Sequence, residues 1–151
     1  MALFFPFLPT DRLKRRGLAP GDAPLGVYAK TGNAFTLTAV DPPALAKGLH
    51  PGMALADAGA LLPGLVTREA EPEADARLLD RIAAWADRFT PFVALSPPDG
   101  LFLDITGAAH LFGSEAAMLA TVKAGPGAQG FAVEAAIAPT PGAAWALARP
   151  R

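Results

Sequence analysis

The chain has no cysteine, and its 151 residues include only two histidines and one tyrosine. The missing thiols exclude disulfides, iron–sulfur clusters, cysteine-ligated zinc and thiol nucleophiles. His50 and His110 alone are too few for a histidine-rich metal site. Neither sign of charge is in excess: 13 basic residues stand against 14 acidic ones. Nothing therefore draws the chain as a whole towards nucleic acid or an anionic membrane. No run approaches the roughly 20 apolar residues that span a bilayer. Residues 1–8 also lack the basic start and small-residue cleavage site of a secretion signal. A cytoplasmic, soluble chain of one ordinary domain, with room for a small inserted subdomain, is expected. Bulk is scarce too. Hydrophobic residues make up 52%, but 34 residues are alanine, with 15 glycines and 16 prolines beside them.

The apolar run at residues 1–5, stopped by Pro6, reads as a buried first strand. A basic helix follows, with Thr10 or Asp11 as its cap and Gly17 as its stop. Residues 25–29 and 34–39 flank Lys30-Thr-Gly-Asn33, a hairpin signal. Asp41-Pro-Pro43 caps and opens a short helix that ends near Gly48. Met53, Leu55, Ala58, Leu61 and Leu62 mark a second short helix, and residues 65–68 a strand. Residues 73–89 form the clearest helix: Leu78, Ile82, Trp85 and Phe89 recur at spacings of four, three and four along one face. Strands are expected at 92–95 and 101–105 around the turn Ser96-Pro-Pro-Asp-Gly100. Ser114 caps a helix to about Val122, residues 125–130 form a loop and 131–138 a strand. Thr140-Pro141 opens a last helix.

Site chemistry is sparse. Asp99 and Asp104 are five residues apart at a hairpin, where strand alternation sends them to opposite faces, whereas a metal needs carboxylates that converge. His110 sits in an apolar segment and reads as a packed histidine with no nucleophile beside it. Arg12, Lys14, Arg15 and Arg16 put four cations in five residues. They form either a solvated patch or a set of phosphate and DNA contacts. The stretches at 48–52 and 125–130 lack the lysine and hydroxyl of a phosphate loop.

Four ordered segments carry a family resemblance: Ala2-Leu-Phe-Phe-Pro-Phe-Leu-Pro-Thr-Asp11; Thr38-Ala-Val-Asp41 on to Gly48-Leu-His-Pro-Gly-Met53; Pro97-Pro-Asp-Gly-Leu-Phe-Leu-Asp-Ile-Thr106; and Ala138-Pro-Thr-Pro-Gly-Ala-Ala-Trp-Ala-Leu147. Together they resemble the Y-family translesion DNA polymerases, and among them a bacterial branch that has lost polymerase chemistry. The resemblance implies an α+β chain: a ferredoxin-like palm with a small fingers subdomain inserted after the first strand. Residues 1–11 would be palm, 12–70 fingers and 71–151 palm. Members of the family continue into a thumb and a little finger, so a fragment is expected.

In active members an Asp leads the first strand and an Asp-Glu pair in the hairpin helps it hold two magnesium ions. Two metals stabilise both the attacking and the leaving oxygen, so losing their ligands removes the chemistry. By the resemblance Ala2 stands at the leading Asp, Phe4 at a second Asp of that strand, Asp99 at the hairpin Asp and Gly100 at the Glu. Asp99 is then a lone remnant, and Gly100 is expected to hold a turn conformation that a glutamate would strain. The Tyr, Arg and Lys that meet the triphosphate fall at Pro42, Leu45 and Pro141. Phe7 aligns with the bulky residue that screens the sugar.

The resemblance therefore implies a pseudo-enzyme with no metal or nucleotide cofactor. It would act as an adaptor in damage-induced translesion synthesis, within the SOS response. Its partners would be an error-prone replicative-type polymerase, a RecA-like accessory protein and the sliding clamp, with DNA bound weakly if at all. Two alternatives remain. One is an active polymerase using magnesium on Asp99 with Asp104 or Asp11. The other is an unrelated ferredoxin-like binding domain, which would lack the insertion after the first strand.

Overall fold

The structure, a computed structural model, describes residues 1–20 and 22–149; the expected fingers segment includes Gly21 and the expected palm segment includes Pro150 and Arg151, which lie outside the described residues. The chain divides into two units, one of Met1–Pro6 with the chain from Glu73 onward, the other Phe7–Pro72. The boundaries fall at 6/7 and 72/73, rather than at 11/12 and 70/71, because the first helix belongs to the inserted unit.

Strand β1 (Ala2–Phe4) has Ala2 and Leu3 fully buried. Helix α1 (Leu8–Arg15) starts ahead of the expected Thr10 or Asp11 cap: the Phe7 carbonyl accepts from the Asp11 N–H at 2.8 Å and from the Thr10 hydroxyl at 3.2 Å. Pro9 fits in that first turn because its missing N–H would have had no partner there. Strands β2 (Leu25–Thr31) and β3 (Ala34–Val40) form the expected hairpin, turned at Gly32 with φ +63°. Helix α2 (Pro42–Ala46) is capped by Asp41, which accepts from the Ala44 N–H at 2.9 Å. Helix α3 (Leu55–Leu61) follows, and β4 (Val66–Glu69) pairs in parallel with β2. Leu37, Val40, Ala44, Leu49 and Ala58 form this unit's larger core.

Helix α4 (Pro72–Ala86) buries Leu78, Leu79, Ile82 and Ala86. Trp85 and Phe89, expected to extend the buried stripe, are half-buried at its flank with rings 5.0 Å apart. Strands β5 (Val93–Ser96) and β6 (Gly100–Leu103) form an antiparallel hairpin. A 3₁₀ turn (Ala109–Phe112) leaves His110 exposed rather than packed. Helix α5 (Glu115–Ala128), capped by Ser114, runs through the segment expected to be a loop. The reason is tertiary: the Trp85 ring lies where a Cβ on Gly125 would go, so the glycine serves close packing inside a helix. Strand β7 (Glu134–Ala136) is shorter than expected, and α6 (Pro141–Ala148) is capped by the Thr140 hydroxyl.

The first unit therefore reads β1, α4, β5, β6, α5, β7, with α6 after it. Its sheet order is β5-β6-β1-β7, and every pair is antiparallel. This is the split βαβ arrangement of a ferredoxin-like domain, interrupted after β1 by the inserted unit.

Candidate functional site

Register decides which residues share a face. Ala2 pairs with Phe102 and Ala136, and Phe4 pairs with Gly100 and Glu134. Strand alternation puts all six on one side of the sheet and sends Leu3 and Leu101 to the other. Helix α6 lies against β1 and β7. Its Ala144, Ala148 and Trp145 pack with Ala2, Phe4, Phe102 and Ala136. Of the positions the resemblance marked, Gly100 stands opposite Phe4 and Asp99 follows beside Phe5, whereas Ala2 lies at the other end of β1, opposite Phe102 on the same face. Glu134, opposite Phe4, is an exposed carboxylate on the same face that sequence reading did not single out; strand alternation through 134–136 was the available signal.

Asp99 is the end residue of the turn before β6. Its carbonyl accepts from the Phe5 N–H at 2.9 Å. Its carboxylate accepts from an Arg149 guanidinium N–H at 2.8 Å. Burial pushes the Asp99 carboxyl above its ordinary range, while the Arg149 charge and hydrogen bond pull it back down. The Arg149 guanidinium also lies 3.9 Å from the Trp145 ring centre and 4.4 Å from that of Phe4, a stacking that its planar, weakly hydrated group favours. Arg149 Nε is buried with no hydrogen-bond partner. The Trp145 ring sits 5.4 Å from that of Phe102 and 6.1 Å from that of Phe4.

Gly100 has no left-handed backbone, so the strained turn expected there is not what excludes a side chain. The obstacle is the Trp145 ring, which occupies the place of a Cβ, with the Leu3 carbonyl oxygen 3.1 Å from the same point. A pair of magnesium ions does not fit these residues. The side chains of Ala2 and Gly100 offer no ligand oxygen, Asp99 is held by a cation, and an indole fills the space beside it. Among the described residues no group of three or more histidine, aspartate or glutamate side chains could hold a metal ion.

The other marked residues separate. Asp104 lies past the end of β6; four strand residues stand between it and Asp99, a span of roughly 16 Å. Its carboxylate accepts from the Thr106 N–H at 3.0 Å, and hydrogen bonds from Thr106 hold it below its ordinary range. A cleft of about 620 Å³ lined by Phe92, Phe102, Asp104, Thr106 and Thr140 includes neither Asp99 nor Gly100 in its wall. Pro141 opens α6 and carries no charge. In the inserted unit, Pro42 and Leu45 lie on α2, both exposed. Arg12 is 5% exposed and 3.6 Å from Glu71, while Lys14 is 2.6 Å from the fully buried Asp41. Two of the four clustered cations thus serve the interior, and Arg15 and Arg16 are exposed. Asp11 belongs to this unit, and Phe7 opens α1.

Known proteins place this arrangement. Residues 7–149 match the family model described as the impB/mucB/samB family (IMS). Protein ImuB of Caulobacter vibrioides, strain NA1000 / CB15N, is 53% identical over 102 residues, covering 68% of this chain and 22% of ImuB. The chain thus spans about a fifth of the length of that relative. The solved insertion ternary complex of Dbh DNA polymerase superposes with a TM-score of 0.86 at 16% identity, covering 99% of this chain and 46% of that one. DinB from Sulfolobus solfataricus superposes with 0.73 at 16% identity, covering 93% and 42%. At that identity the two structures speak for the fold, which is the palm and fingers region of Y-family polymerases. The family match and the relative carry more: this chain belongs to the impB/mucB/samB family of Y-family polymerase-like proteins.

Proposed function

We propose that the chain is the palm and fingers part of a non-catalytic Y-family homologue, an adaptor in translesion DNA synthesis and damage-induced mutagenesis. One observation supports the reading above the others. At two of the positions to which the resemblance assigns metal ligands stand Ala2 and Gly100, and the remaining Asp99 is paired with Arg149 at 2.8 Å. Nucleotidyl transfer needs charge placed opposite the reacting phosphates, and here the Asp99 carboxylate is already paired with a cation within the protein. Pro42, Leu45 and Pro141 supply no charged partner for a triphosphate. The adaptor role would consist of joining an error-prone replicative-type polymerase, a RecA-like protein and the sliding clamp. Any DNA contact from this part would fall to the exposed Arg15 and Arg16. No helix among the described residues is long and apolar enough to cross a membrane.

The test is magnesium-dependent primer extension by the full-length protein, beside an active Y-family polymerase as control. No templated incorporation is expected, whereas co-elution with the clamp and the replicative-type polymerase is. Templated extension by the unaltered protein would sink the proposal and favour a polymerase with another ligand set.

A further inference from the structure

The missing ligands would leave metals unheld; they do not explain why an indole and a guanidinium stand beside Asp99 and Gly100. Trp145 and Arg149 are four residues apart in chain order, one turn of α6 and its C-cap, which puts both over the same patch of sheet. The ring closes on Gly100, and the guanidinium lies over both the Trp145 and Phe4 rings while pairing with Asp99. The stack is kept even though Arg149 Nε is left without a partner.

We infer that Trp145 and Arg149 form an internal plug that takes over both physical tasks of the absent ions, filling their volume and neutralising the last carboxylate. The inference deepens the non-catalytic reading and rests on it for the assignment of the patch. The steric half follows from Gly100: any side chain there must displace a ring wedged between Phe4 and Phe102. The electrostatic half follows from Asp99. A partly buried carboxylate without a counter-charge is costly, and a fixed guanidinium removes that cost while repelling any arriving divalent cation. Restored ligands would therefore meet an occupied site, and the plug blocks them ahead of any question about the triphosphate contacts.

Two measurements on the full-length protein test this. In the first, thermal midpoints are compared for Gly100→Ala alone and in a Trp145→Ala background. The methyl group should lower the midpoint by about 5 °C or more when the ring is present, and most of that loss should vanish when it is absent. An equal loss in both backgrounds, or no loss in either, overturns the plug. In the second, Mn²⁺ alone is the probe, read by electron paramagnetic resonance. Ala2→Asp with Gly100→Glu should bind Mn²⁺ no better than the unaltered protein. Adding Trp145→Ala and Arg149→Ala should tighten binding at least tenfold. Equal binding by the twofold and fourfold variants, or a folded fourfold variant that does not bind, overturns it. If the fourfold variant does not fold, the single methyl group of the first measurement decides. Neither readout is primer extension, so the plug and the adaptor role can fail separately.

Discussion

Trp85 of α4 lies against Gly125 of α5, and Trp145 of α6 lies against Gly100 of β6; in both places an added Cβ would overlap the ring. Each indole also meets a phenylalanine edge-on and carries an arginine over its face: Phe89 and Arg88 for Trp85, Phe4 and Arg149 for Trp145. The arginines differ. Arg88 reaches only the Trp85 carbonyl, at 3.0 Å, whereas Arg149 reaches a carboxylate. The same device, a large ring seated on a glycine, fastens two helices in one case and closes a patch of sheet in the other. Packing alone does not distinguish the two; the partly buried ion pair beside the Trp145 ring does.

Removing the rings should break this symmetry. Trp145→Ala is expected to cost about 3–4 kcal/mol and Trp85→Ala about 2–3 kcal/mol, at or below the usual range for a large core aromatic because both rings are half-buried. The excess at Trp145 comes from Arg149, which loses its stack while Asp99 still needs the charge. Urea unfolding checks both values, and a Trp145→Ala cost under about 1 kcal/mol would remove the asymmetry.

The inserted unit offers a second carboxylate–cation pair against which Asp99–Arg149 can be judged. Asp41 is fully buried, accepts from the Ala44 N–H and pairs with Lys14 at 2.6 Å. Lys14→Met would leave that carboxylate buried without its cation, at a cost of about 2–3 kcal/mol, reduced from the fully buried case by the partial exposure of Lys14. Arg149→Met should cost less, about 1–2 kcal/mol, since Asp99 retains some access to water. Equal losses in chemical denaturation would mean that the two pairs are the same kind of structural element.

The glycine side can be sharpened within a single helix. Gly125→Ala should destabilise by about 1–3 kcal/mol by forcing the Trp85 ring aside. Two residues on, nothing lies within 4 Å of a Cβ added to Gly127. There the same substitution should stabilise α5 by about 0.5–1 kcal/mol through helix propensity. Opposite signs from neighbouring glycines would show that contact with the ring, not backbone freedom, sets the requirement at Gly125.

That contrast also shows where reading the sequence succeeds and stops. Caps were legible because they are local: Asp41, Ser114 and Thr140 each bond a backbone N–H three residues ahead. The α5 extension was not, since Gly125-Pro126 resembles a break until Trp85 is brought against it by the fold. Likewise Arg12 and Lys14 look like surface cations because their partners, Glu71 and Asp41, are remote in sequence. Ala2, Asp99 and Gly100 could be marked only through family resemblance, and the strand register sets Gly100 opposite Phe4 and Ala2 two residues away, opposite Phe102. The plug could not, although Trp145 and Arg149 carry a readable sign, an aromatic and a cation one helical turn apart. What was missing was the face of the sheet that this helix covers.

The smallest expected effect separates Asp99 from the other hairpin carboxylate. Asp104 is exposed, and its pKa is lowered, first by the hydrogen bonds from Thr106. A carboxyl held below its unfolded value adds stability above the unfolded pKa, and that contribution disappears as pH falls through the folded one. Asp99 runs the other way: burial raises its carboxyl, so its ionisation takes stability away as pH rises through the raised value. Asp104→Asn should therefore leave the midpoint unchanged at pH below the lowered folded value, where both states are protonated. It should lower the midpoint slightly as pH rises from that value towards the ordinary aspartate value of about 3.9, then by a constant amount to neutrality. Thermal melts of the two proteins across that range give the difference curve. A difference independent of pH would show that amide and carboxylic acid serve Thr106 equally well. The charge of Asp104 would then contribute nothing to the hairpin, and Asp99 would be the one hairpin carboxylate whose ionisation the fold registers.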